Sequence, residues 1–547
     1  MTSVRRCVRA AIVAVAAAAV MAPAAQAKSS VPKLDWQDCQ DGFQCATATV
    51  PLDYSSRSKG DYHVALIRKV ATDPSKRIGS LFTNPGGPGA SGVDFVRGTA
   101  DSLYATLNER YDIVGFDPRG TGTSDAALSC DVNQETQGLY SIPYATPDTD
   151  PMALLTKDKS FVDRCTSLNQ KILPYVTTGN VARDLDLLRQ AVGDPQLNYL
   201  GFSYGTFLGA TYASLFPGKL GHVVLDGPVD ADAYINDPHG DLLAQTGGFE
   251  RALTRFFQAC AADQTACMGF GGSDPGAAFD DLVDKANANP IPADGYTDDP
   301  RPVTGDDIIN ATSYNLYAKQ YWPYIAQDLA AAAAGDGSMI RYDSDSALGR
   351  NPDGTYDPGT DRYFLIGAIE QKYSHADLGK YFQLGKRAYD TFDHAWWNVG
   401  YVELNYGLFG VKPDGRYSGP FRIPAGANTP LVVATTYDPA TPYRGAKSLV
   451  HDLGNARLLT MAGDGHTAYG RNSACIDTAV EAYLFDGTLP DAGTRCQQDV
   501  PFAQPQPQPA ATAAPAGGQT ARALGVTSFG NRARQLSARG KPVLVKP

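Results

Sequence analysis

Histidine is scarce in this sequence, with 7 in 547 residues, and none of the seven belongs to a metal-binding pattern such as H-E-x-x-H. No two cysteines have the C-x-x-C spacing that is typical of zinc and thiol-redox sites. The sequence therefore predicts no metal site and no cofactor.

Basic residues are in the minority, because 47 Lys and Arg stand against 58 Asp and Glu, for a net charge of −11. A nucleic-acid partner needs a basic face that neutralises phosphates, so we expect none. Long apolar runs are also missing beyond the N-terminal segment, and no later stretch is long enough to span a bilayer. We therefore expect no membrane association. We also expect a monomer.

The N-terminus has the order of features that is typical of a secretory signal peptide. Arg5, Arg6 and Arg9 precede a short apolar run over 10–20, and Ala25-Gln-Ala27 matches an A-x-A cleavage site. We predict a signal peptide over 1–27 and a secreted, extracellular protein. A membrane-anchored N-terminus is the alternative, and the arginine pair leaves a twin-arginine export route open.

Eight cysteines follow the predicted signal peptide, an even number that predicts disulfides in an oxidising compartment. We favour pairing between neighbours, because each bridge then closes a loop within one local region: Cys39 with Cys45, Cys130 with Cys165, Cys260 with Cys267, and Cys475 with Cys496. A mixture of bridges and buried thiols is the alternative.

Short apolar runs alternate with helical patterns from Cys45 onward. Strands are predicted at 45–50, 63–70, 79–83, 111–116, 197–202, 221–225, 430–436 and 457–461. Residues 180–192 have apolar positions at helical spacing, with Asn180 as the N-cap. This alternation predicts an α/β fold with a mostly parallel central sheet and helices on both faces.

The alternation stops over 230–425, which is helical in pattern and rich in alanine and aromatic residues. We predict that 230–425 is an inserted, mainly helical lid domain over the strand ends, where open α/β sheets bind ligands. Most of its aromatic residues are expected to pack the lid's own core: Tyr314, Tyr317, Tyr321, Trp322, Tyr324, Trp396 and Trp397. The two parts of the core are then 34–229 and 426–502, followed by a Pro/Gln/Ala-rich linker and mobile tail over 503–547.

Gly201-Phe-Ser203-Tyr-Gly205 matches G-x-S-x-G between a predicted strand and a helix-like segment over 206–215. In this context the motif indicates the nucleophile elbow of an α/β-hydrolase, a tight turn that lifts a serine hydroxyl above the sheet. The following helix N-terminus favours negative charge at that point. We predict that Ser203 is the nucleophile.

A serine hydroxyl needs a base, and in this fold the chain order is serine, acid, histidine. Asp438 follows the predicted strand 430–436, and His466 lies in a Gly-rich loop after the next strand. We predict that His466 is the general base and that Asp438 orients it. Asp464 is the rival acid, but it stands only two residues from the histidine.

Asn84-Pro-Gly-Gly-Pro-Gly-Ala-Ser-Gly92 follows the predicted strand 79–83. This position predicts an oxyanion hole from Gly86 and Gly87, together with the N–H of Tyr204 after the nucleophile. A phosphate-binding loop is disfavoured because no Lys-Ser/Thr follows.

A second distinctive segment is Gly115-Phe-Asp-Pro-Arg-Gly-Thr-Gly-Thr-Ser124. For this segment we favour a structural turn held by an ion pair over substrate contact by Asp117 or Arg119.

These motifs, with Thr177-Thr-Gly-Asn-Val-Ala-Arg-Asp-Leu-Asp186, resemble those of the secreted tripeptidyl aminopeptidases of actinobacteria, relatives of the prolyl aminopeptidases. The resemblance covers about 34–500. It implies a serine exopeptidase that releases short peptides, tripeptides in this family, from free N-termini. It also implies a lid carboxylate that binds the substrate ammonium, and Glu370 stands where that residue is expected. A helix-surface charge is the other interpretation of Glu370.

Two other functions remain open at this point. A carboxylic-ester hydrolase would use the same triad, because the fold alone does not determine the substrate. A non-catalytic binding protein on this scaffold is disfavoured by the complete set of Ser203, Asp438 and His466.

Overall fold

The computed structural model describes residues 30–139, 144–297, 299–471 and 473–503. The predicted signal peptide and nearly all of the predicted tail lie outside these ranges. In the described residues, ten strands form one sheet. They are β1 Gln37–Asp38, β2 Gln44–Pro51, β3 Asp61–Lys69, β4 Gly79–Asn84, β5 Tyr111–Phe116, β6 Leu197–Phe202, β7 Leu220–Asp226, β8 Leu431–Tyr437, β9 Arg457–Asp464 and β10 Arg495–Gln497.

The sheet order is β1-β2-β3-β5-β4-β6-β7-β8-β9-β10. Pairing is antiparallel from β1 to β5 and parallel from β5 to β10. All eight predicted strands are present, with ends that shift by at most three residues. The short edge strands β1 and β10 were not predicted, because two or three residues carry too little pattern.

The described α-helices are α1 Gly92–Thr99, α2 Pro151–Asn169, α3 Thr178–Ala191, α4 Tyr204–Leu215, α5 Ala231–Asn236, α6 Pro238–Ala262, α7 Pro275–Ala288, α8 Gly305–Asn315, α9 Trp322–Ala333, α10 Ser338–Leu348, α11 Gly359–Glu370, α12 Gly379–Tyr389, α13 Leu404–Leu408, α14 Tyr443–Leu453 and α15 Ala474–Asp486. None of them is both long and apolar enough to cross a membrane. The prediction of Asn180 as an N-cap was wrong. Helix α3 starts at Thr178, and the Asn180 amide donates to the Tyr175 and Asp414 carbonyls within the first turn.

Both faces of the sheet are covered, which is the α/β-hydrolase arrangement. Neighbouring residues of a strand point to opposite faces, so that Leu81 and Phe82 of β4 belong to different apolar clusters. Helices α1 and α15 contribute to the cluster around Leu81, whereas α3, α4 and α14 contribute to the cluster around Phe82. Such double coverage explains why β4 and β5 are buried at every position.

Helices α5–α13 lie between β7 and β8 and form the predicted helical insertion. Part of it has a core of its own, built around Phe256, Trp322 and Ile325. Of the aromatic residues named above, Trp322 lies in this core, Tyr317 and Trp397 pack against it, and Tyr321 and Tyr324 belong to a smaller buried cluster. The domain boundaries at 230 and 425 stay a prediction.

Four disulfides join the pairs of neighbouring cysteines favoured above, Cys39–Cys45, Cys130–Cys165, Cys260–Cys267 and Cys475–Cys496. Disulfides of this number are typical of proteins from oxidising compartments, which fits an extracellular location.

Candidate active site

Ser203 stands between β6 and α4 with φ 55° and ψ −127°, a conformation that costs free energy for any residue other than glycine. Its N–H donates to the Asp226 carbonyl at 2.9 Å, and its carbonyl accepts from the Thr206 hydroxyl at 2.6 Å. These bonds hold the strained turn in place. The sequence fits the turn because a side chain at Gly201 would clash with the Gly205 carbonyl, its Cβ lying 2.5 Å away.

The glycine loop after β4 lies directly against this turn. Gly86 has φ +98°, and a Cβ there would lie 2.6 Å from the Phe202 carbonyl oxygen and 2.9 Å from Ser203 Cβ. A side chain at Gly205 would in turn meet the Asn84 carbonyl oxygen at 2.7 Å. Only glycine allows the two backbone segments to approach this closely.

The predicted oxyanion residues differ in what their N–H groups do. The Gly86 N–H donates to Asn84 Oδ1 at 3.0 Å, so this donor is already engaged. The Gly87 N–H has no acceptor in the part of the chain that the structure describes. Tyr204 is the first residue of α4, where N–H groups have no intrahelical acceptor. We keep Gly87 and Tyr204 as the proposed donors and assign Gly86 to the close approach.

His466 and Asp438 are brought together in the buried loops after β9 and β8. His466 Nδ1 lies 3.0 and 2.9 Å from the two carboxylate oxygens of Asp438. The carboxylate also accepts from the N–H groups of Ala440 and Thr441 at 2.9 and 2.8 Å, and from the Thr441 hydroxyl at 3.0 Å. A carboxylate held by so many donors is fixed in position and can orient the imidazole ring.

The rival acid points elsewhere. Both carboxylate oxygens of Asp464 are engaged by the side chains of Arg255 and Lys319, which come from the helical insertion and its connecting loop. In the described structure His466 Nδ1 faces Asp438, not Asp464.

The helical insertion covers the histidine. The Tyr317 carbonyl accepts from the His466 N–H at 2.7 Å, and the two rings meet edge to face at 5.3 Å. His466 Nε2 is buried and makes no hydrogen bond with any described residue, Ser203 included. Catalytic hydrogen bonds of this kind are often long before substrate binds.

Glu370 ends α11 and is fully buried, which rules out a surface charge. Its Oε2 accepts from the Thr178 N–H at 2.9 Å, while Oε1 has no partner among the described residues. Burial raises the pKa of this carboxyl to about 7, partly offset by the hydrogen bond from the Thr178 N–H and by the nearby Arg416. The Thr178 hydroxyl lies 2.5 Å from the Tyr204 hydroxyl, so Glu370 is linked to the residue that follows Ser203.

Asp117 and Arg119 both have structural roles. The buried Asp117 carboxylate accepts from Ser91 and from the Val93 and Thr123 N–H groups, which shapes its turn. Arg119 pairs with Asp184 of α3, at 2.6 and 2.8 Å. The expected ion pair therefore exists, but its acid comes from α3.

Three residues near the site were missed by sequence reasoning: Thr178, Asp226 and Thr441. Thr441 follows Asp438 by three residues, a spacing that allows its N–H and hydroxyl to cap the carboxylate. Asp226 is an acid at the end of a buried strand, a signal visible in the sequence. Thr178 carries no such signal, because its contacts are to distant parts of the chain.

Comparisons with known proteins give the family of the chain. A family model described as TAP-like protein matches residues 413–496, which include Asp438 and His466. Serine protease Hip1 of Mycobacterium tuberculosis is 34% identical over 495 residues, covering 86% of this chain and 93% of Hip1. The chain belongs to the tripeptidyl-aminopeptidase-like family of α/β-hydrolases. It is a hydrolase of the serine type.

Members of this family carry different names. Carboxylesterase B of M. tuberculosis is 33% identical over 484 residues, covering 85% of this chain and 90% of that protein. Tripeptidyl aminopeptidase of Streptomyces lividans is 28% identical over 505 residues, covering 88% of this chain and 89% of that protein. Similarity along the whole chain therefore establishes the class of enzyme but not the substrate.

Proposed function

We propose that the protein is a secreted serine exopeptidase that releases short peptides, tripeptides in the first instance, from free N-termini. The observation that carries this proposal is Glu370, a buried carboxylate linked through Thr178 to Tyr204, one oxygen of which has no partner among the described residues. The relatives of this chain include proteins named serine protease and tripeptidyl aminopeptidase, which supports a peptide substrate.

The chemistry follows from the arrangement of the triad. Ser203 Oγ attacks the scissile carbonyl while His466 Nε2 takes the hydroxyl proton, and Asp438 stabilises the resulting imidazolium. The N–H groups of Gly87 and Tyr204 stabilise the oxyanion. His466 then protonates the leaving amine, which leaves an acyl-enzyme. Water, deprotonated by the same histidine, releases the short peptide and restores Ser203.

The role of Glu370 rests on the free energy of a buried charge. A buried carboxylate in the helical insertion, without a cation bound to it, is destabilised by desolvation, and a substrate ammonium would relieve this cost. A peptide with an acetylated N-terminus brings no cation and would leave the charge unpaired. The site would thus select free N-termini and would limit how many residues fit between Glu370 and Ser203.

A carboxylic-ester hydrolase is the second candidate. It is favoured by the 33% identity to a protein named carboxylesterase B, which matches about as well as the protease relative. The same triad would serve both reactions. The esterase hypothesis, unlike the peptidase hypothesis, gives no role to Glu370 Oε1, which has no partner among the described residues.

The test is hydrolysis of tripeptide anilides, each with a free and with an acetylated N-terminus, beside p-nitrophenyl butyrate. We expect turnover of the free peptides and at least about 100-fold less of the acetylated ones. Ser203→Ala should lose about 10⁶-fold in turnover and all labelling by a fluorophosphonate. Ester turnover without peptide cleavage would instead establish the second candidate, and a labelled Ser203→Ala would contradict the mechanism.

A further inference from the structure

Asp226 is a fully buried acid at the end of β7, and the mechanism above assigns it no role. Strand β7 lies between β6, which leads to Ser203, and β8, which leads to Asp438. Asp226 pairs with Phe202 on one side and with Val433 on the other. Its backbone is therefore fixed between the strands that carry the nucleophile and the acid.

The side chain of Asp226 reaches the histidine loop. One carboxylate oxygen accepts from the Ala468 N–H at 2.9 Å, and the other accepts from the Ala468 and Tyr469 N–H groups at 3.1 and 2.8 Å. The carbonyl of the same residue accepts from the Ser203 N–H at 2.9 Å. A single residue therefore holds both the elbow of Ser203 and the loop that begins at His466.

The next residue adds to this contact. Gly227 has φ +66°, and a Cβ there would lie 3.1 Å from His466 Cε1 and 3.4 Å from Nδ1. The backbone after β7 thus packs closely against the imidazole ring on one side. Asp438 holds the ring at Nδ1.

We propose that Asp226 is a positioning residue that sets the distance between Ser203 and His466. It does so by binding the backbone N–H of Ser203 and those of Ala468 and Tyr469 in the loop that carries His466. This inference rests on the proposed triad. It assigns Asp226 no contact with substrate and no proton transfer. Because reacting atoms must be held to well within 1 Å, loss of such a support costs on the order of 100-fold in rate without any loss of substrate binding.

Asp226 also acts electrostatically on the same histidine. The charged groups that face it are His466, Asp438 and Arg471, and Tyr104 lies close to it. Burial raises the pKa of Asp226 to about 7, against the effect of its hydrogen bonds. Protonation of Asp226 weakens the hydrogen bonds that it accepts from the Ala468 and Tyr469 N–H groups, so its own ionisation contributes to the acid limb of the wild-type kcat profile. Asp226→Asn removes this ionisation and should shift that limb to lower pH.

The experiment compares Asp226→Asn, Asp226→Glu and Asp112→Asn in the full chain, with p-nitrophenyl butyrate and a fluorophosphonate as probes. Asp112 is the matched control, because it is equally a buried acid that binds a backbone N–H, that of Ala71, but stands at the start of β5. We expect Asp226→Asn to lose about 10- to 100-fold in kcat and in labelling rate, at unchanged KM and with the acid limb shifted.

Asp226→Glu retains the charge but displaces the oxygen atoms, so we expect a reduced kcat with the acid limb where the wild type has it. Asp112→Asn should keep kcat within about twofold. The proposal is overturned if folded Asp226→Asn retains the wild-type kcat and acid limb, or if Asp112→Asn loses as much. Should Asp226→Asn fail to fold, a wild-type kcat in Asp226→Glu overturns it. Labelling of Ser203→Ala would contradict the proposed function instead.

Discussion

Both carboxylate oxygens of Asp438 lie within hydrogen-bonding distance of His466 Nδ1, at 2.9 and 3.0 Å, whereas Asp464 is engaged by Arg255 and Lys319. We therefore predict that Asp438→Asn lowers kcat by about 10⁴-fold, because an amide at this position favours the wrong tautomer of the imidazole. Asp464→Asn is the matched variant and should affect stability more than kcat. Steady-state kinetics with p-nitrophenyl butyrate measures both, and equal losses would contradict the assignment.

Glu370→Gln tests the ammonium site. The amide keeps the shape but not the charge, so we expect KM for free-amine tripeptide anilides to rise about 10- to 100-fold while ester turnover changes little. Asp361 is the matched control, because it is a buried acid of the same helix whose oxygens bind Cys130 and Gln134. If Asp361→Asn raises KM as much, or if Glu370→Gln impairs the ester equally, Glu370 has no specific role.

Binding of a tripeptide with a free N-terminus should depend on pH in a defined direction. Glu370 has a pKa of about 7, so its charge is lost as the pH falls through this value. The peptide ammonium loses its charge above about pH 8. Affinity for Ser203→Ala, measured by calorimetry, should be highest between these values. In the Ser203→Ala/Glu370→Gln double variant the fall on the acid side should disappear.

The same carboxyl predicts a pH dependence of stability. Its folded pKa of about 7 lies above the ordinary 4.5, so burial favours the protonated form. The contribution to the free energy of unfolding is therefore complete below about pH 4.5 and is lost as the pH rises through about 7. Glu370→Gln removes this loss. Denaturant unfolding at pH 5 and pH 8 measures this effect. The free energy of unfolding of the variant, relative to that of the wild type, should be higher at pH 8 than at pH 5. An equal difference at both pH values would contradict the raised pKa of Glu370.

Gly86→Ala tests the close approach of the glycine loop to the nucleophile. The added Cβ would meet the Phe202 carbonyl and Ser203 Cβ at 2.6 and 2.9 Å, so we expect kcat to fall by at least about 100-fold. Gly60→Ala is the matched control, because Gly60 has nearly the same φ, +96° against +98°, and nothing within 4 Å of an added Cβ. Because Gly60 has ψ −167°, a backbone conformation almost restricted to glycine, the substitution should cost about 1–3 kcal/mol in stability and leave kcat unchanged. Comparable kcat in the two variants would contradict the prediction.

The sequence by itself was sufficient for the eight main strands, the helical insertion and the disulfide pairs, because these depend on local patterns. Strand β5, for example, is an apolar run of six residues between turn signals, and its bounds agree with those predicted. The elbow at Ser203 was recognisable for the same reason: its glycines stand next to it in the chain. The sequence did not determine where α3 begins, because Thr177 and Asn180 are both common N-cap residues.

The tertiary structure decided which groups face one another. It showed that Asp438, not Asp464, meets His466, and that Arg119 pairs with Asp184. It also placed Glu370 in a buried site beside Thr178, 192 positions away in the chain. Such contacts join residues far apart in sequence, and their burial and orientation depend on how the sheet, its helices and the insertion pack. No local pattern carries that information.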